Sequence, residues 1–115
     1  MQRANLLSVL NSLLHPELFK DYAPNGLQVE GKSEIHRIVT AVTATQRVID
    51  EAVRLQADAL LVHHGWFWRG ENPTITATKY KRLKALMDAG INLIAYHLPL
   101  DAHEKLGNNA QMAQL

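Results

Sequence analysis

The sequence predicts an α/β domain with a parallel or mixed sheet and helices on both faces. Three observations carry that prediction. Apolar, β-branched segments alternate with segments of helical periodicity in the order β-α-β-α-β, the pattern of a sheet joined by helical crossovers. The second and third strands are nearly continuous in apolar residues, as a sheet covered on both faces requires. The chain has 115 residues, 47% hydrophobic and 20% charged, which suits one packed domain and is too apolar for a disordered one.

The elements follow in order. Leu6, Leu7, Leu10, Leu13 and Leu14 share one face and predict a helix over 3–14. Pro16 ends it. Asp21-Tyr22-Ala23-Pro24-Asn25-Gly26 is turn chemistry, with a fixed dihedral at Pro24 and tolerance of positive φ at Asn25-Gly26. Ile35 to Thr43 reads as the first strand. Gln46 to Gln56 carries Val48, Ile49, Ala52, Val53 and Leu55 at helix spacing behind Thr45, a candidate N-cap. Ala59 to Val62 is a short buried strand. Thr78 to Ala89 reads as a helix with Tyr80, Leu83, Leu86 and Met87 inward and Gly90 at its C′ position. Ile91 to Tyr96 is the third strand. Gly107-Asn108-Asn109 then opens a helix that runs into Leu115, so 1–115 reads as a single α/β domain, the amino-terminal portion of a longer protein.

Composition removes several function classes. Net charge is +1 with scattered basic residues, unlike the concentrated footprint of a nucleic-acid binder. Lys79, Lys81, Arg82 and Lys84 cluster, but they fit the solvated face of one helix. The absence of cysteine excludes disulfides, thiolate catalysis and cysteine-based zinc sites. No apolar stretch approaches the ~20 residues that span a bilayer, and the amino terminus is no signal-peptide core. A cytoplasmic location is expected. No Gly-x-Ser-x-Gly elbow, phosphate-binding glycine loop or His-Glu-x-x-His motif occurs.

The chemistry gathers at two strand ends. The run Ala59-Leu60-Leu61-Val62 delivers His63 and His64, and the run Ile91 to Ala95 delivers His97 and Asp101. In open α/β sheets the carboxyl edge is where sites are built. Neighbouring residues on a strand point to opposite faces, so the two imidazoles hold different ions, or share one across a bend that Gly65 permits. Asp101 is the carboxylate placed to bridge, and His97 is either a ligand or a partner of one. His103 and Glu104 are held in reserve, with His103 expected exposed. His15 and His36 read as structural. Of Trp66, Phe67 and Trp68, one or two read as core or interface anchors. Thr40, Thr43 and Thr45 read chiefly as β-propensity choices that end near the same edge.

Asp21 through Gly31 (DYAPNGLQVEG), Val42-Thr43-Ala44-Thr45, Val62-His63-His64-Gly65, His97 through His103 (HLPLDAH) and Gly107-Asn108-Asn109 occur in that order. In that set the chain resembles the Nif-three-like (YbgI-type) dinuclear metal-centre proteins, often labelled GTP cyclohydrolase type 2 homologues. The likeness covers this whole chain and roughly the first half of the family's usual length. It implies an α/β fold, a two-metal centre and a hexameric ring of dimers. Carried over, His63, His64 and Asp101 match metal ligands, and His97 matches a position beside the metals. The family completes its centre with a His and a Glu from a carboxyl-terminal His-x-x-x-Glu segment, which this sequence lacks.

The expected function is binding of two divalent ions (Zn, Fe, Mn or Co) by His63, His64, Asp101 and His97, with a metal-bound water as nucleophile on a small-molecule substrate, a nucleotide among the candidates. The alternatives are a non-catalytic metal-binding scaffold acting through protein partners, and an inactive truncated fragment. A homo-oligomer is expected, with neither membrane nor nucleic acid as partner.

Overall fold

A computed structural model describes residues 1–103. Glu104 and the helix expected from Gly107 lie outside the described residues. The elements are α1 (Arg3–Leu14), a 3-10 turn (Pro16–Leu18), β1 (Gly26–Val29), β2 (Ile38–Thr43), α2 (Gln46–Arg54), β3 (Ala59–His64), α3 (Ala77–Ala89), β4 (Asn92–Ala95) and the single turn α4 (Leu98–Asp101).

The sheet has four strands in the order β1-β4-β3-β2. β2, β3 and β4 run parallel, with Val39 opposite Leu60 and Leu60 opposite Leu93. These are the strands of the β-α-β-α-β core read from the sequence. β1 adds an antiparallel edge to β4, so the sheet is mixed. The sequence marks only a turn ahead of β1. Four residues, Gly-Leu-Gln-Val, carry no period of their own, and β4 beside them supplies the pairing.

Helices cover both faces. On one, Ile49 and Ala52 of α2 and Leu86 of α3 are buried against Leu60, Val62, Leu93 and Ala95. On the other, Leu6 and Leu14 of α1 meet Ala59, Ile94 and Tyr96. Thr45 caps α2 as expected, its Oγ1 accepting from the Val48 amide at 3.2 Å. Gly90 ends α3 at φ +66°.

The inward face of α3 needs correction. Leu86 is fully buried and Leu83 half-buried, but Tyr80 and Met87 are 52% and 60% exposed. The helix packs through Leu83, Leu86 and the small Ala85 and Ala89. That narrow stripe lets α3 approach closely and turns the two larger side chains outward. Among the described residues no helix is long and apolar enough to cross a membrane.

Candidate metal centre

The carboxyl edge of the parallel strands gathers the histidines. β3 ends at His63 and His64 while still held by β2, since the Ala44 amide donates to the His64 carbonyl at 3.0 Å. β4 leaves the sheet one residue after its last pairing. The Tyr96 amide still donates to the Val62 carbonyl at 3.1 Å, and the chain then turns into α4. His97 occupies the N-cap position of that turn, with φ −95° and ψ −92°. The Asp101 amide donates to the His97 carbonyl at 3.1 Å, which stacks the aspartate one turn above the histidine.

One ring nitrogen from each of His63, His64 and His97 lies within 4.8 Å of the others. The ring centroids are 4.4 Å apart for His63–His64, 5.0 Å for His63–His97 and 5.4 Å for His64–His97. Side chains of adjacent strand residues normally diverge. Here both imidazoles lean over the end of the strand, and the two rings converge. Asp101 joins through His63, with Oδ1 3.4 Å from His63 Nε2.

Each ring is oriented from behind. His63 Nδ1 donates to the Tyr96 carbonyl at 3.0 Å, which leaves Nε2 as the lone-pair nitrogen of the neutral ring. His97 Nδ1 donates to Asp21 Oδ1 at 2.8 Å. His64 Nδ1 lies 3.4 Å from the Thr43 hydroxyl, so Thr43 touches the site as well as building its strand. Burial, reinforced by the neighbouring His63 and His97 rings and opposed by Asp101, holds the His64 pKa below its ordinary value. That keeps the imidazole neutral, the form that ligates a metal.

The family model for Duf34/NIF3 (NGG1p interacting factor 3) matches residues 1–115. The chain belongs to the NIF3 family. A Salmonella typhimurium relative named GTP cyclohydrolase 1 type 2 homolog is 57% identical over 115 residues, all of this chain and 47% of that protein. The Escherichia coli K12 protein of the same name is 56% identical over the same span. Among solved structures, protein ybgI, of unknown function, superposes with TM-score 0.97 at 56% identity, covering 99% of this chain and 46% of that one. A Thermus thermophilus protein, TTHA1606, matches with TM-score 0.93 at 43% identity, covering 99% of this chain and 47% of that one. The chain spans about half the length of the curated relatives it matches.

Within this NIF3 fold the other predicted positions separate. His15 is an exposed left-handed helix cap at φ +50°, and exposed His36 gives its backbone amide to Asp58 at 2.9 Å. Neither belongs to the histidine cluster. His103 is half-buried rather than exposed and lines a different groove, with Leu14, Leu18, Phe19 and Pro99. Trp66 is 8% exposed in the core, and its indole donates to the Ala44 carbonyl at 3.0 Å. Trp68 stands edge-on to His97 with centroids 5.0 Å apart. Phe67, between these two indoles, sits in the left-handed region at φ +63°.

Two contributions were missed. Asp21 has the local signature of a turn residue, and its partner His97 is 76 residues away, beyond any local signal. Gln28 pairs with Trp66 as a strand would, accepting from its amide at 2.7 Å and donating to its carbonyl at 3.0 Å. That pairing also corrects the role of Gly65. It is not among the glycines at positive φ. A Cβ there would meet Gln28 Oε1 at 2.2 Å and Ala95 Cβ at 2.8 Å. Close approach, not a bend, demands the glycine. Gly65→Ala is therefore expected to lose about 1–3 kcal/mol, measured by urea unfolding. A variant as stable as the parent would refute the close-packing account.

Proposed function

We propose that this chain binds divalent metal ions through His63, His64, His97 and Asp101 and serves a metal-dependent hydrolase. The observation that carries the reading is the meeting of three imidazoles and a carboxylate at one sheet edge. The donor set fits a metal: neutral imidazole nitrogens with one carboxylate suit Zn, Fe, Mn or Co better than Mg. Pinning Nδ1 of His63 and His97 on oxygen acceptors is the usual way a protein aims Nε2 at an ion.

When bound, a divalent ion supplies Lewis acidity that polarises a scissile group and makes water nucleophilic at neutral pH. The chain's own groups shape what can reach it. Beside His63 lies an open groove of about 460 Å³ walled by Leu10, Leu13, Val42, Leu61 and Leu100, which suits the apolar flank of a small organic substrate. The name carried by the curated relatives, GTP cyclohydrolase 1 type 2 homolog, favours a nucleotide-like substrate.

The test is metal content of the purified chain after cobalt loading and desalting. Stoichiometric cobalt is expected in the parent, with clear loss in both His63→Ala and His64→Ala. Unchanged stoichiometry in the two variants would overturn the proposal.

A second reading is a metal-binding scaffold that acts through protein partners. The family description, an NGG1p interacting factor, favours it. Under that reading Asp101→Asn leaves the biological phenotype intact, whereas the hydrolase reading requires its loss.

A further inference from the structure

The geometry points to Asp21 as a positioning residue that sets the tautomer of His97 and thereby aims its Nε2 at His63 and His64. The inference rests on the metal-binding reading for its consequence, but not for its geometry.

The Asp21 side chain is 2% exposed and accepts four hydrogen bonds. Oδ1 takes the Tyr22 amide at 2.7 Å and His97 Nδ1 at 2.8 Å. Oδ2 takes Asn25 Nδ2 at 3.0 Å and the Leu98 amide at 2.8 Å. The bonds to Tyr22 and Asn25 stay within the turn itself. The bonds to His97 and Leu98 reach across the fold to the candidate centre and serve no purpose within the turn.

The same segment holds His97 a second way, because Asn25 Oδ1 accepts from the His97 amide at 2.9 Å. Residues 21–25 thus grip the backbone and the ring of one histidine. An ionised carboxylate can only accept, so His97 Nδ1 carries the proton. A neutral imidazole has one N–H, so Nε2 is left as the lone-pair nitrogen of a ring whose centroid lies 5.0 Å from that of His63 and 5.4 Å from that of His64. Trp68 packs edge-on against the ring, with centroids 5.0 Å apart. Without the carboxylate the proton is free to move to Nε2, where it blocks ligation and faces two other imidazoles.

The experiment uses the ¹⁵N-labelled 115-residue chain, metal-free, with long-range ¹H–¹⁵N correlation to read the His97 tautomer. Cobalt alone is then titrated in, followed by its visible absorption. The parent is expected as the Nδ1–H tautomer. Asp21→Asn is expected to populate the Nε2–H form and to bind cobalt roughly 10–100-fold more weakly. Asn25→Ala removes the grip on the backbone but leaves the ring acceptor. It should keep the parent tautomer, with affinity within about threefold.

A purely structural Asp21 would alter stability without moving the tautomer. If Asp21→Asn gives no dispersed spectrum, Asp21→Glu replaces it, with the Nδ1–H form retained and affinity lowered. An Nε2–H tautomer in the parent, or an Asp21→Asn variant with unchanged tautomer and affinity, overturns the inference. A parent that shows the locked tautomer yet takes up no cobalt sinks the metal reading and leaves the positioning role standing. Cobalt binding with a tautomer indifferent to Asp21 does the reverse.

Discussion

Gly31→Ala is expected to destabilise the fold by about 3 kcal/mol or more. An added Cβ would lie 2.3 Å from the Gly90 carbonyl oxygen, 2.6 Å from Ile91 C and 2.7 Å from Asn92 N. All three are main-chain atoms, so no rotamer change relieves the overlap. The segment cannot shift as a unit either. The Gly31 amide donates to Asn92 Oδ1 at 2.7 Å and the Lys32 amide to the Gly90 carbonyl at 2.9 Å. Asn92, fully buried at the start of β4, also donates through Nδ2 to the Lys32 carbonyl at 2.8 Å and the Asp58 carbonyl at 3.0 Å. The alanine must therefore break this knot or displace the strand that leads to His97. Urea unfolding would read the loss as a midpoint lowered by ~1 M or more, given slopes of ~1–3 kcal/mol per molar. A midpoint equal to the parent's would mean that the segment is not packed against β4.

Asp58 carries the second large effect, and that effect depends on pH. Its Oδ2 accepts from the amides of His36 at 2.9 Å and Arg37 at 3.0 Å, and its Oδ1 from Lys32 Nζ at 3.2 Å. The His36 amide, then the Arg37 amide and Lys32, outweigh the cost of burial and hold the carboxyl below its ordinary pKa. Asp58→Ala leaves two backbone donors unpaired and is expected to cost about 3 kcal/mol at pH 7. Because the folded pKa lies below the unfolded one, ~3.9, the ionised group's contribution is whole above about pH 4. It fades as pH falls through the lower, folded value. Parent and variant should therefore converge in stability in acid. A gap that stays constant from pH 7 down to the acid transition would show that ionisation is not what stabilises the contact.

The three parallel strands and the two crossover helices were legible because each carries its own period or apolar run. The edge strand β1 was not, since Gly26–Val29 becomes a strand through its neighbour. The site was half legible. His63, His64 and His97 stand at strand ends marked by hydrophobic runs, a signal any chain reading can find. Asp21 was hidden because local turn chemistry explains it sufficiently. Its second set of partners exists only once β4 has crossed the sheet. Gly65 resembles a bend residue in the sequence for a similar reason. Its small size answers to Gln28 and Ala95, residues that no window around it contains. Tyr80 and Met87 show the limit of helical periodicity, which predicts a stripe but not how wide its partner is.

The strand that carries His63 and His64 and the strand that leads to His97 are the interior ones, each hydrogen-bonded to a neighbour on both sides. The imidazole cluster therefore cannot come apart by fraying at a sheet margin. It opens when the sheet unzips, so exchange of the Val62 and Ile94 amides should track whole-molecule unfolding rather than a local fluctuation. Under the proposed function, a cation would meet rings already oriented by the Tyr96 carbonyl and Asp21, and it would lose little affinity to ordering them.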